Sequence, residues 1–474
     1  MTRYILSMLV FVSLLSACTQ SSPATELGQI STTATILDRL TEQAIPEATL
    51  QPKKAAPGSP SRKLPGPNAG QVAPPDAKPT PPREPAKAPN DQGQKFNIEQ
   101  ALSPEAQRKT IAFSALGFLT GDFNADTFFP PGKVADFWGF QYLRDNDLSG
   151  MGHNTDFLTY AALNMLSILT GDQRAELTAL AESQVDKINE YALKRFILID
   201  AFRRNLNNEY PAGTSELDIE AVQEYSAEIY RLDGEITLER AHVMSKIINE
   251  LTTEQRASLD SMVGVGMNEW DRPEEPSDLR GLERDVKVAV MTYAGDLFSW
   301  YGGSVEADTY INPERQGTYF GAFYLKDAPA VGNPGYIISS RLTADMGEAF
   351  LEVLDENQQS LVEEILSLEH PYLLEIVDIR ESIATELRRS LAGESLDDEE
   401  IQNLMQDYGR ADGALVYYFA RNFAQLHAGL STEQIDKLMD LRTQMLGNLV
   451  PEKPFLYSQA IDMPELPASD FLFK

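Results

Sequence analysis

The chain has 474 residues and a formal net charge of −31, from 40 Lys and Arg against 71 Asp and Glu. Residues 1–98 hold 10 of the basic and 7 of the acidic side chains, which leaves the remainder at −34; this argues against nucleic acid and anionic headgroups as its partners and leaves cations, basic proteins and neutral ligands open. Cys18 is the only cysteine, so no internal disulfide can form and stability must come from an ordinary hydrophobic core.

At the amino terminus, Arg3 precedes an apolar run from Tyr4 to Leu14, followed by Leu15-Ser16-Ala17-Cys18. The run is too short to span a bilayer as a permanent helix and reads as a secretory signal peptide. The tetrad resembles the bacterial lipobox. That resemblance implies cleavage before Cys18, a diacylated Cys18 thiol (palmitate or a similar chain) and a signal peptide of residues 1–17. Thr19 stands where the aspartate of an inner-membrane retention signal is expected, so the anchor implied is in the outer membrane, with the body in the periplasm or at the cell surface. A plain signal peptide with an incidental cysteine is the competing reading.

Residues 18–96 read as a disordered tether. Pro52 to Pro89 contains 12 of the chain's 28 prolines, interleaved with Lys, Ala, Gly and Ser, a composition that cannot bury enough apolar surface to offset its ordering entropy. In polyproline geometry the stretch reaches on the order of 100 Å. Before it, Ile36 to Ile45 is a short amphipathic segment.

The rest of the chain repeats. Ala125-Asp126-Thr127-Phe128-Phe129-Pro130-Pro131, continuing at Trp138-Gly139-Phe140-Gln141-Tyr142-Leu143-Arg144-Asp145, matches Ala307-Asp308-Thr309-Tyr310-Ile311-Asn312-Pro313, continuing at Phe320-Gly321-Ala322-Phe323-Tyr324-Leu325-Lys326-Asp327. Asp233-Gly234 likewise matches Asp412-Gly413. A tandem duplication follows, with copies at 97–285 and 286–474. Apolar spacing of three and four predicts helices over 156–169, 173–198, 219–230, 238–251 and 253–267, and again over 342–354, 357–391, 398–408, 414–426 and 432–446. The fold class expected is all-α, built of helical hairpins.

Four pentads punctuate these helices: Leu169-Thr170-Gly171-Asp172-Gln173, Leu251-Thr252-Thr253-Glu254-Gln255, Leu354-Asp355-Glu356-Asn357-Gln358 and Leu430-Ser431-Thr432-Glu433-Gln434. Each is a capping box or its Asp variant, in which Thr, Ser or Asp caps the N3 amide and Gln reaches back. The pentads also resemble the LTxxQ motif of Spy/CpxP-type periplasmic proteins, over four five-residue segments. That resemblance implies a helical chaperone or stress sensor with the motif at tight turns.

One loop has the spacing of a cation site. From Asp145 through Asp147, Ser149 and Gly150 to Asp156, oxygen ligands stand at positions 1, 3, 5 and 12 and Gly at 6, as in an EF-hand calcium loop. Gly152 at position 8, His153 at 9 and Asp rather than Glu at 12 depart from the pattern. A polar turn capped by Asx side chains explains most of the same residues. The second copy, from Asp327 to Gly335, lacks nearly all of these ligands. The alternatives are therefore no cofactor or a Ca2+ ion bound in one copy.

Of the four histidines, His242 lies in Glu239-Arg240-Ala241-His242, the Glu-x-x-His spacing of di-iron bundles, but the second copy has Tyr418 and Arg421 at those places. His370 precedes Pro371, an expected helix interruption. The aromatic blocks at Phe128-Phe129, Phe137-Trp138, Trp300-Tyr301 and Tyr319-Phe320 read as core contacts between hairpins and loops, with ligand-stacking clefts as the alternative. No nucleophile–base order or phosphate loop is present. The leading expectation is a lipid-anchored envelope protein that binds or scaffolds an unidentified protein or peptide without catalysis. The alternatives are a calcium-binding module, a chaperone or stress sensor, and a hydrolase with an unrecognised acidic site. A Cys18→Ala variant is expected to move from the membrane to the soluble fraction on cell fractionation, and retention in membranes overturns the anchor.

Overall fold

The computed structural model describes residues 102–121, 155–263, 269–302, 328–330, 333–338, 341–446, 455–456, 459–460 and 462–474. All belong to the second of the two units into which the chain divides, Pro65–Lys474. Residues 1–101, both members of the repeated block (125–145 and 307–327) and residues 145–154 of the loop lie outside them.

The described body is all-α. Ten helices run in two series: α1 (Pro104–Thr120), α2 (Thr155–Ile168), α3 (Gly171–Leu206), α4 (Ile219–Glu250) and α5 (Thr253–Asp260), then α6 (Arg284–Tyr301), α7 (Arg341–Val353), α8 (Glu356–Leu391), α9 (Asp398–Gly429) and α10 (Thr432–Leu446). Both α3 and α8 have 36 residues, and both α4 and α9 have 32. Strands are confined to two short antiparallel hairpins, β1 (Ala328–Ala330) with β2 (Asn333–Ile338) and β3 (Phe455–Leu456) with β4 (Gln459–Ala460). No helix among the described residues is long and apolar enough to cross a membrane.

All four pentads form the reciprocal capping box. In each, the Gln amide N–H donates to the cap oxygen of Thr170, Thr252, Asp355 or Ser431, and the Gln Oε1 accepts the cap residue's own N–H at 2.9 Å. The pentads then meet in pairs. Gln255 Nε2 donates to Gln173 Oε1 at 2.8 Å, and Gln434 Nε2 to Gln358 Oε1 at 2.6 Å. Each hub also reaches the end of a preceding helix, through Ile168 O and Gly429 O. The next residue completes the junction: Arg174 donates to the Leu166 and Leu169 carbonyls, Arg256 to Ile248 and Leu251, and Gln359 to Leu351 and Leu354. One short segment thus satisfies the free amides of one helix and the free carbonyls of the helix before it.

The periodicity differs from the structure in three places; the helix expected over 253–267 ends at Asp260, with a turn at 261–263. The stretches 219–230 and 238–251 are one helix, α4, and 398–408 and 414–426 are one helix, α9; the Asp-Gly pairs do not break them. The glycines serve packing instead. A Cβ on Gly413 would lie 2.8 Å from Gln223 Cα, and one on Gly409 would lie 2.6 Å from Ala227 Cα. Mid-helix Gly costs about 1 kcal/mol in propensity, and here that cost permits α4 and α9 to approach over most of their length. Helices α1 and α6 are enclosed along one continuous stretch each, where every residue from Thr110 to Phe118 and from Thr292 to Trp300 is buried, so no polar face marks a period there. Pro371 is also carried inside α8 rather than ending it.

Helices α1 and α6 cross between the series. Helix α1 packs on α7, α8, α9 and α10, while α6 packs on α2, α3 and α4. The chain end ties back as well. Asp218 N donates to Leu472 O at 2.8 Å and Lys474 N to Glu216 O at 3.0 Å, setting Leu472 and Phe473 into the core beside the segment that leads into α4. Replacing an interior helical Gly by Ala usually stabilises. Gly413→Ala is expected to do the reverse, lowering stability by about 1–3 kcal/mol in denaturant unfolding through overpacking against α4 backbone.

Candidate functional site

The close approach of α4 and α9 brings a polar cluster into the middle of the body. Asp233 and Asp412 each directly precede a glycine of the matched Asp-Gly pairs, and both are 0 % exposed. Tyr230 donates its hydroxyl to Asp412 Oδ2 at 2.5 Å, and its ring lies 4.6 Å from that of Tyr408. From α8, the buried Arg380 donates to the Tyr408 hydroxyl at 3.3 Å. Arg195 occupies the same position in α3 as Arg380 in α8, 185 residues earlier, and is equally enclosed. The contacts thus join Tyr230, Asp412, Tyr408 and Arg380, with Asp233 near enough to act on Tyr191 and Tyr408.

The cluster's phenols are held protonated. Burial pushes the Tyr191 hydroxyl well above its ordinary value, and the Asp233 and Asp412 carboxylates add to the effect. Burial also raises Tyr408, with Arg380 working against it and Asp412 with it. What these groups can do is reject other registers of α4 on α9, since sliding the helices would strand buried charge.

A second polar chain runs through the first series. Tyr293 of α6 donates to Gln184 Oε1 at 2.6 Å, and Gln184 Nε2 donates to Ile236 O and Glu239 Oε2. Glu239 also takes Lys187. Beside them Arg240 pairs with Asp296 at 3.4 Å and lies over the Tyr293 ring. Burial lowers the Arg240 value but is outweighed by Tyr293 and Asp296, so the guanidinium is held charged. The position of Gln184 is filled in α8 by Glu369, which is 1 % exposed and has no hydrogen-bond partner for either carboxyl oxygen among the described residues.

An open cleft of about 590 Å³ lies between α8 and α9, lined by Asp378, Glu381, Ser382, Thr385, Glu386, Glu400 and Leu404. Glu386 is already bound to Arg389 at 2.7 Å. Among the described residues, no group of three or more His, Cys, Asp or Glu side chains is arranged to hold a metal ion.

The residues singled out in the sequence fall apart in space. Cys18 and the loop residues Asp145, Asp147 and Ser149 lie outside the described residues, and Asp156 lies in α2 with its side chain outside them. Glu239 and His242 do not converge: Glu239 turns to Gln184 and Lys187, while His242 Nε2 meets Asp398 on α9 at 3.0 Å in an exposed pair. His427 is pushed below its ordinary value by burial and by Arg203. Trp300 is core, and Tyr301 donates to Asp260 at 2.7 Å.

Sequence reasoning singled out neither Arg195, Arg380 nor the tyrosines around the aspartates. A signal existed: Arg195 and Arg380 stand at the same offset as the Leu169 and Leu354 pentads, beside the matched Asp-Gly pairs. No family model matches the chain, and neither a curated protein nor a solved structure is similar to it. Asp412→Ala, which strands the Tyr230 hydroxyl, is expected to cost about 3–5 kcal/mol in thermal or denaturant unfolding. Asp412→Asn keeps an acceptor and should cost less.

Proposed function

We propose that the chain is a lipid-anchored protein of the bacterial cell envelope whose helical body binds or scaffolds a protein or peptide partner without catalysing a reaction. The observation that carries the reading is Leu15-Ser16-Ala17-Cys18 behind a short apolar run, followed by the proline-rich stretch from Pro52 to Pro89. A lipid on Cys18 and an outer-membrane attachment follow from that motif. The tether then holds the body on the order of 100 Å from the bilayer, a distance of use to a protein that must reach something.

The body as a tandem duplication is part of the same proposal. It is supported by the matched sequence blocks, by the equal lengths of α3 and α8 and of α4 and α9, and by the paired glutamine hubs. The non-catalytic reading draws on how the buried charges are used, because Asp412, Arg380 and Arg240 bond to groups of the core rather than facing a cleft. A second reading, a periplasmic chaperone or stress sensor, draws on the four pentads, each of which builds a tight helix junction as the LTxxQ resemblance implies. Both readings require a partner.

Crosslinking in intact cells followed by mass spectrometry tests for one. A small, reproducible set of envelope proteins crosslinked to the body is the result expected of a scaffold, and a broad set enriched under unfolding stress is expected of a chaperone. A body that crosslinks to nothing and hydrolyses a generic ester or peptide overturns both.

A further inference from the structure

Glu369 stands in the stripe of α8 that faces the core, in register with the buried residues Val362, Ile365, Leu373 and Ile376. Its counterpart Gln184 has every polar atom engaged: Tyr293 donates to the oxygen, and the nitrogen donates to Ile236 O and Glu239. Glu369 has neither oxygen engaged among the described residues. Two residues further on, Pro371 removes the N–H that would have bonded the Ser367 carbonyl, so the helix is weakened at the turn that carries the carboxyl.

The charged groups around it are committed elsewhere. On α9, Arg421 donates to Glu364 at 3.0 Å and to Asn422, and Tyr418 stacks with Tyr372. On α1, Arg108 bonds Gln359 and Glu363, and Lys109 meets Glu105 and Glu348. Helix α4 meets α8 at the other end, through Asn249 and the Ser390 carbonyl. On α8 itself the next residue, His370, is exposed, and Glu375 is influenced by Asp407 rather than by Glu369. A cation that could stabilise an ionised Glu369 is therefore missing from this set, and an ionised carboxylate buried without one is among the costliest arrangements a core can hold.

We propose that Glu369 makes the packing of α8 on α9 responsive to pH: as a neutral acid it is tolerated between the helices, and on ionising it loosens α8 around Pro371. Burial alone holds this carboxyl well above its ordinary value of 4.5. The folded-state value is thus raised over the unfolded one. The contribution of the neutral acid is fully present below the unfolded value and is lost as pH rises from there through the folded value. The second series should weaken on going from mildly acid to neutral and alkaline pH, while α3, with Gln184 at the same place, should not.

The test compares the melting temperature of the full chain with that of Glu369→Gln from pH 5 to pH 8. Taking the difference removes every other titrating group. The gap, variant minus wild type, is expected to widen by about 2 °C or more over that range; a gap that does not change with pH overturns the proposal. Should Glu369→Gln fail to fold, Glu369→Leu serves in the same comparison. Hydrogen exchange of the wild-type chain, corrected for the intrinsic rate, gives an independent reading. Residues 356–391 should lose protection relative to 171–206 between pH 6 and pH 8, and parallel behaviour of the two helices overturns the proposal.

Discussion

The structure turns on the approach of α4 to α9. Two 32-residue helices can lie this close only where side chains are missing, and Gly409 and Gly413 supply the gaps against Ala227, Ser226 and Gln223. Close contact alone would leave a smooth seam along which the helices could slide. The buried Asp412 and Arg380 oppose this, because their bonds to Tyr230 and Tyr408 are made in one register and lost in the next. Sterics bring the helices together and electrostatics chooses how. Around this pair α3 and α8 take matching positions, α3 against α4 and α8 against α9.

Helix ends raise a separate difficulty. A body made of long helices joined by short turns carries many free amides and carbonyls at those turns, and each must be satisfied where water is scarce. The chain meets this with one device used four times, and the four combine into two hubs. In each hub a glutamine serves its own cap, its partner glutamine and the end of a preceding helix. Long-range order and local capping are therefore the same set of bonds. Where α3 and α8 end, the two series again solve one problem with related chemistry: Asn208 (φ 59°) and Gly393 (φ 80°) hold the left-handed position after the helix, and the next amide returns to Arg204 O or Arg389 O.

The two series are alike in frame and unlike in filling. Gln184, Tyr293, Glu239 and Lys187 form a closed polar chain in the first, whereas Glu369, at the place in α8 that Gln184 has in α3, has no hydrogen-bond partner among the described residues. One series thus carries a linked polar chain, and the other a buried acid without a partner among the described residues. Exchange of α1 and α6 between the series binds these unlike halves into one body, since each half supplies the other with a largely buried helix.

By itself the sequence determined the helical class, the pentad caps and the internal matches, because these are written in neighbours three or four residues apart and in offsets that can be read along the chain. The readings of a lipobox and a tether likewise rest on local residues and composition rather than on packing. The sequence could not tell that Asp233-Gly234 and Asp412-Gly413 sit inside unbroken helices. Locally, Gly is a helix breaker, and only a second helix pressed against it makes its missing Cβ an advantage. Nor could it find α1 and α6, whose enclosed stretches erase the polar face that periodicity needs. The pairing of Gln173 with Gln255, the convergence of Arg380 and Tyr408, and the isolation of Glu369 were decided by tertiary structure alone. Each depends on which groups from distant segments arrive at one point, and burial sets the strength of every charge that meets there.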